Sequence, residues 1–301
     1  MLDTGNTVVW IKKRGLNAAW SIFRAALLIG LGFVILYPLL YMLSMSFRPT
    51  VDLYDPNVVW LPNSLTMVNI THVFEVMEYP KTIGLTIAFN LGSSLLSVAV
   101  CMITGYGFAR FKFRGASLLF AFLLMTIIVP IQITGTPLFM QYKALGILDN
   151  PLVLYLPALF GQGISSGLFV LIFRQFFKGM PRELEDAAAI DGCSAPGIFL
   201  RIFVPNAGSA MLTVFLFSLV FYWNDYFTTG MFFSNLKTIS IALGSLSQEL
   251  TYLAGVSSFD PYAQLTRMQA GCLLTISPML VLYIILQRNF TESIERVGLV
   301  G

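Results

Sequence analysis

GMPRELEDAAAIDGCSAPGIFLRIFVP, residues 179–205, is a polar island between long apolar runs. Its four acids (Glu183, Glu185, Asp186, Asp191) and two arginines (Arg182, Arg201) keep it out of the hydrocarbon core of a bilayer. Its local grammar is helix, sharp stop, helix. Pro181 suits a first helical position, where a missing N–H costs nothing. Glu183, Glu185 and Asp186 then fall in the first turns, where the helix dipole favours negative charge. Ala187, Ala188 and Ala189 are strong helix formers with almost no side chain, so another surface can come close. Gly192 is placed to end the helix in a left-handed conformation. Ser194 with Pro196 starts a second short helix that leads into Phe199, Ile202 and Phe203. The stretch reads as a charged, Ala-lined elbow held at a membrane surface.

The rest of the chain supplies the membrane part. Of 301 residues, 56% are hydrophobic and 11% charged, against about 25% charged in a typical soluble domain. That composition predicts an all-α integral membrane protein. The net charge is +3, and nothing in its distribution points to nucleic acid. Cys101, Cys193 and Cys272 lie far apart in sequence, with no CxxC or Cys/His cluster, so neither a disulfide framework nor a metal site is expected.

Residues 1–23, with Lys12, Lys13, Arg14, Trp10 and Trp20, read as a cytoplasmic amphipathic lead-in. Arg24–Phe47 is apolar for a full crossing, which takes about 20 residues, and is read as a retained first span rather than a cleaved signal. Residues 48–81 predict an ordered external loop with a short interfacial helix near Ile70–Met77. Ile83–Ala109 is the second span, with a polar stripe of Asn90, Ser93, Ser94 and Ser97 suited to helix packing. A basic turn follows at 105–115. The third span runs from Ala116 to about Gln141, broken by Pro130 and Pro137. The fourth runs from Asn150-Pro151 to Phe177, bent by Pro157 and closely packed through Gly163 and Gly167. After the elbow come a fifth span, Val204 to about Phe233, an outer loop at 234–267, and a sixth span, Met268–Gln287. Six spans place both termini on one side. No internal repeat or linker divides the chain, which is read as one transmembrane domain over 1–301. Thirteen Lys and Arg residues fall on the side of the elbow and five on the other, so the elbow and both termini are expected in the cytoplasm.

PRELEDAAAIDG (181–192), followed by Phe199, Ile202 and Pro205, resembles the EAA loop of ABC-importer permease subunits. Asp186 stands where that motif has a leading Glu, and Ala210 where a second Pro is common. Ala109-Arg110-x-x-Phe113-x-Gly115 and Trp223-Asn224-Asp225-Tyr226 are similar to turns of the carbohydrate, maltose-importer-like branch. The motif-bearing similarity runs from about 82 to 288. The resemblance implies a type I importer permease fold in the bacterial cytoplasmic membrane, with 179–205 as a coupling helix that docks on an ATPase. It implies as partners a second homologous permease, a dimer of P-loop ATPase subunits that bind ATP and Mg, an extracytoplasmic solute-binding protein and a sugar substrate. Glu183, Glu185, Asp186, Ala187, Ala188, Asp191, Gly192 and Phe199 would serve ATPase coupling.

The residues weigh against other classes, with an ion-coupled secondary transporter kept as the alternative outside the family. No G-x-x-x-x-G-K-[ST] phosphate loop, G-x-S-x-G elbow or H-E-x-x-H occurs, so no catalytic residue and no cofactor is assigned to this chain. An ion-coupled transporter needs ionisable groups within the membrane, and Asp225 lies near the outer end of the fifth span. Trp223, Asn224, Asp225, Tyr226 and Asn90 are the candidate substrate-path residues, since aromatic faces stack on sugar rings and amides and carboxylates bond hydroxyls. The competing reading is an interfacial aromatic belt with Asn224 and Asp225 capping a helix end. Within the family, polyamine, glycerol-phosphate and peptide importers are the alternatives to a sugar.

Overall fold

The computed structural model describes residues 4–58, 60–255 and 259–298. Helix is the regular structure throughout, and no strand occurs among the described residues. They pack as two compact units, one drawn from 4–73 and 259–273, the other from 74–255 and 274–298.

The first unit holds α1 (Thr4–Ser46) and an ordered segment after it. A 3₁₀ turn, Thr50–Leu53, is fixed by Asp52, whose buried carboxylate accepts from the backbone N–H of Asn63 at 2.8 Å. Arg48 is buried and donates to the Val58 carbonyl and to Ser44 Oγ, both at 3.3 Å. Helix α2 (Val68–Val76) covers the position expected for a short interfacial helix. Asn69, buried on it, donates to the carbonyls of Ser46 (3.2 Å) and Arg48 (2.8 Å) and accepts from Thr266 Oγ1 (3.2 Å). The segment after α1 is thus ordered by polar groups that bond each other, as buried polar groups must.

The second unit is built along α3 (Tyr79–Arg110). Next come α4 (Ala116–Ile128) and α5 (Ile131–Ala144), bent by 96° where Val129 and Pro130 cannot continue the helix. After them α6 (Leu152–Leu159) and α7 (Ser166–Gly179) flank a break in which Ser165 takes a φ of 58°. The expected fourth span is therefore two helices, and Gly163 lies in the break while Gly167 lies in α7. The elbow contributes α8 (Glu183–Ile190), α9 (Ala195–Ile198), a π turn at Phe199–Phe203 and α10 (Val204–Asn206). Helices α11 (Gly208–Trp223) and α12 (Phe227–Phe232) make the fifth segment. The loop expected at 234–267 contains a further helix, α13 (Ile239–Ala254), and α14 (Pro261–Gly298) completes the chain.

Three stretches are long and apolar enough to cross a membrane singly: Trp20–Ser46, Tyr79–Arg110 and Pro261–Gln287. Counting each of two bent pairs as one crossing, α4 with α5 and 195–206 with α11 (75°), raises the number to five among the described residues.

Helices α6, α7 and α11 all pack along α3. Lipid tails are as apolar as leucine, so this association depends on close fit and polar bonds rather than on the hydrophobic effect. Gly105 supplies the fit: a Cβ there would lie 2.6 Å from the Phe173 Cβ and 3.0 Å from the Arg174 N. Asn90 and Ser97 of the polar stripe supply bonds. Asn90, Ser93, Ser94 and Ser97 are all buried. The Asn90 amide, in the orientation its neighbours require, donates to the Tyr222 carbonyl and accepts from the Trp223 N–H, both at 3.2 Å.

Candidate functional site

The elbow begins where α7 ends. Met180 leaves the helical region (φ −75°, ψ 139°) before Pro181, the direction that a following proline imposes. Helix α8 then carries Glu183, Glu185 and Asp186 in its first turn. Its end is a complete Schellman motif: the Gly192 N–H bonds the Ala189 carbonyl at 3.1 Å, and the Cys193 N–H bonds the Ala188 carbonyl at 2.9 Å. Gly192 sits at φ +79°, the left-handed conformation this motif needs. Its Cys193 and Ala188 pack into the same apolar cluster, the contact that commonly accompanies the motif.

The π turn has a local cause. Pro205 has no N–H to give to the Arg201 carbonyl, and its ring would crowd that carbonyl in a regular helix. The turn widens, the Val204 N–H reaches back to the Phe199 carbonyl, and Asn206 Nδ2 donates to the Ile202 carbonyl at 2.7 Å. Such widened turns are rare and recur at functional sites. This one turns Phe203 fully into the bundle. Tyr106 of α3 meets Phe199 and Phe203 with ring centroids 4.8 Å away in each case, and Phe177 at 5.7 Å.

Arg110 sits at the centre of this packing, with 4% of its side chain exposed. Its Nη2 donates to the carbonyls of Phe177 (2.7 Å) and Met180 (2.8 Å), at the end of α7. Its Nη1 lies 3.6 Å from Glu185 Oε2, and its guanidinium stands 4.8 Å over the Phe203 ring. Hydrogen bonds from a charged donor contribute about 1.5–3 kcal/mol each when water does not compete. A second arginine, Arg174, stacks on Phe120 at 4.0 Å and ties the start of α4 to α7.

The sequence-assigned residues divide accordingly. Glu183, Asp186, Ala187, Asp191 and Gly192 are exposed, together with Ile190 at 86%. Ala188 is buried and Glu185 half-buried, both turned toward the bundle, and Phe199 packs on Tyr106. The exposed side of α8 is thus acidic and small-residued, with Leu184 and, at its tip, Ile190 as large aliphatic side chains, and its inner side is joined to α3.

The substrate-path candidates are engaged in holding helices. Asp225 accepts from the backbone N–H groups of Thr228 (3.0 Å) and Thr229 (3.1 Å), capping α12, and its carbonyl accepts from Ser240 Oγ at 2.7 Å. Asn224 Nδ2 donates to the Val220 carbonyl at 2.8 Å. Trp223 is buried, its Nε1 3.3 Å from the Thr275 carbonyl. Asn90 is the bracket between α3 and α11 described above. Tyr226 is exposed, with its ring edge against Gly244.

Sequence reasoning named Arg110 only as part of a basic turn. Its partners Phe177, Met180 and Glu185 lie 67 or more residues away, and the signal that could have marked it is a charge closing a long apolar helix. Among the described residues, no group of His, Cys, Asp and Glu is arranged to hold a metal.

Known proteins resemble this chain in sequence and fold. The family model described as "binding-protein-dependent transport system inner membrane component" matches residues 97–296. The arabinooligosaccharides transport system permease protein AraQ of Halalkalibacterium halodurans is 28% identical over 90% of this chain and 93% of its own length. The lactose transport system permease protein LacG of Rhizobium radiobacter is 26% identical over 87% and 90%. Among solved structures, a bacterial ABC transporter involved in the import of the acidic polysaccharide alginate shares the fold, with a TM-score of 0.75 over 91% of this chain and 97% of that one, at 22% identity. The chain is a membrane-embedded permease subunit and belongs to the family of binding-protein-dependent transport system inner membrane components.

Proposed function

We propose that this chain is the transmembrane permease of an ATP-driven, binding-protein-dependent importer of a sugar or oligosaccharide. The observation that carries the reading is the elbow: an exposed acidic helix whose inner side is joined through Arg110 to the longest helix of the unit. A helix so built presents a docking face outward and a lever inward. The relatives named above for arabinooligosaccharide and lactose transport support a carbohydrate as substrate.

In this reading the chain crosses the bacterial cytoplasmic membrane six times as a single permease domain, with α6 and α7 forming one broken crossing and both termini cytoplasmic. It works beside a second, homologous permease. A dimer of P-loop ATPase subunits, which bind ATP and Mg, receives α8 through Glu183, Asp186, Ala187, Asp191 and Gly192, with Glu185, Ala188 and Phe199 holding the elbow to the bundle. A solute-binding protein delivers the sugar on the outer side. ATP-driven closure of the ATPase dimer pushes the elbow, and the bundle alternates between outward and inward openings. This chain performs no chemistry itself. Of the substrate-path candidates, Asn224 and Tyr226 are the exposed ones, and Tyr226 is the residue to test first for contact with sugar, with Trp223, Asn224, Asp225 and Asn90 shaping the path.

The test is recovery of the chain from detergent-solubilised native membranes, followed by reconstitution in liposomes with what comes along. A second permease and a P-loop ATPase are expected, with sugar uptake that requires ATP and the binding protein. Uptake by the chain alone without ATP would overturn the reading.

A further inference from the structure

The geometry points to Arg110 as a positioning residue of the coupling step, the one that makes α8 and α3 move as a single body. The inference rests on the importer reading above and goes beyond it by naming the joint.

Of the eight residues of α8, Ala188 is buried and Glu185 half-buried, and the other six are exposed. The helix that would receive the push is therefore attached to the bundle along a narrow line. Ala188 contributes little more than a methyl group to that line. Glu185 contributes an ion pair with Arg110, half-shielded from water on its own side and almost wholly on the other.

Arg110 is the last residue of α3, so whatever holds its guanidinium holds the end of the helix along which the unit is built. The same guanidinium grips two carbonyls at the end of α7 and lies over Phe203 of the π turn. The rings around Tyr106 pack α3 against α7 and the π turn, and none of them lies on α8. The Arg110 fork is fixed by directed bonds from Nη2 to two carbonyls at the end of α7, and to the charge so fixed Glu185 of α8 pairs at 3.6 Å and the Phe203 ring of the π turn stacks. A push on α8 is thereby delivered to α3, and through the Asn90 bracket on α3 to α11. Lysine could neutralise Glu185 but, as a compact ammonium, could not reproduce the fork.

The experiment uses the full assembled importer in liposomes. Arg110→Gln should lower the ratio of sugar taken up to ATP hydrolysed by about tenfold, the loss of a coupling free energy of ordinary size. Arg110→Lys should fall between. Spin labels at Arg182→Cys and Ile103→Cys, in a chain with its three cysteines replaced, should keep one distance with and without ATP when Arg110 is present. In Arg110→Gln that distance should shift or broaden on ATP binding. Should Arg110→Gln not assemble, Glu185→Gln, which leaves the α7 contacts in place, carries the same two readouts with a smaller fall. A normal ratio, or a lowered ratio with an unchanged α8–α3 distance in the variant, overturns the joint. So does a distance that changes on ATP binding in the unsubstituted chain. All three leave the importer reading standing. Uptake that proceeds without ATP overturns the importer reading and this inference with it.

Discussion

Asn90 carries a side-chain amide into the most closely packed face of α3, and what it meets decides how it can be tested. Its partners are main-chain groups of Tyr222 and Trp223. Removing the amide leaves a buried carbonyl and N–H without it, at a cost in water-soluble cores of about 1–3 kcal/mol. In bilayers such bonds average about 0.6 kcal/mol. Asn90→Leu is therefore expected to destabilise by about 1 kcal/mol, lowering the thermal midpoint in detergent, and to reduce uptake of every transported sugar by the same factor. A change in apparent affinity for one sugar, with stability intact, would instead assign Asn90 to the substrate path. Asp149 offers a pH test outside the spans. Its carboxylate accepts from the backbone N–H groups of Ser234 (2.6 Å) and Asn235 (2.8 Å) and from Asn235 Nδ2 (3.0 Å). These bonds, the Asn235 N–H first, hold its pKa below the ordinary Asp value despite slight desolvation. The stabilisation is thus fully present above the ordinary value, about 3.9, and is lost as pH falls through the lowered one. Asp149→Asn, which suits the residue's φ of 55°, should lower the thermal midpoint at pH 7, and the difference from wild type should shrink toward zero at strongly acid pH. A difference that does not vary with pH would remove the carboxylate from the account.

At the scale of elements, α8 was legible because every local signal agreed: acids first, alanines next, glycine last, and a Schellman motif where the glycine stands. The test of that stop is Gly192→Ala. Nothing crowds a Cβ there, but the φ of +79° strains it, costing about 1 kcal/mol. Uptake should fall several-fold while membrane abundance changes little. Gly197→Ala, at ordinary φ and ordinary contact distance, should behave as wild type. Equal effects of the two would show that the turn at Gly192 does not matter. Elsewhere the elements were less readable. Helix α13 hid in a segment taken for loop, although Ile239, Ala242, Leu246 and Leu250, all buried, recur at helical spacing. The break between α6 and α7 was read as a bend, because Pro157 and Gly161 signal interruption without giving its extent. The candidate site had the same limit. Its exposed acids follow from local sequence, whereas the inner joint of Arg110, Glu185, Tyr106 and Phe203 depends on contacts between distant segments.

For the molecule as a whole, the question that composition raises and distances alone leave open is which side each surface faces. On the six-crossing reading, thirteen of eighteen Lys and Arg residues fall in segments on the side of the elbow, and the asymmetry of basic loops sets orientation. If the chain crosses six times, Arg182 faces the cytoplasm and α13 the exterior. Both are open to a reagent: Arg182 is exposed at the start of α8, and Tyr252 is 87% exposed near the end of α13. In a chain with Cys101, Cys193 and Cys272 replaced, Arg182→Cys in intact cells should resist a membrane-impermeant maleimide and react once the membrane is opened. Tyr252→Cys should react in intact cells. The odd count of five, which the helices allow if α6 and α7 do not cross, predicts otherwise. Arg182 and Tyr252 are separated by α11 and its flanking segments in both the six and the five counts, so in both they lie on opposite sides. Lys112, which precedes the disputed pair, would then lie opposite Arg182. Lys112→Cys labelled on the same side as Arg182→Cys supports six crossings, and labelling on opposite sides supports five.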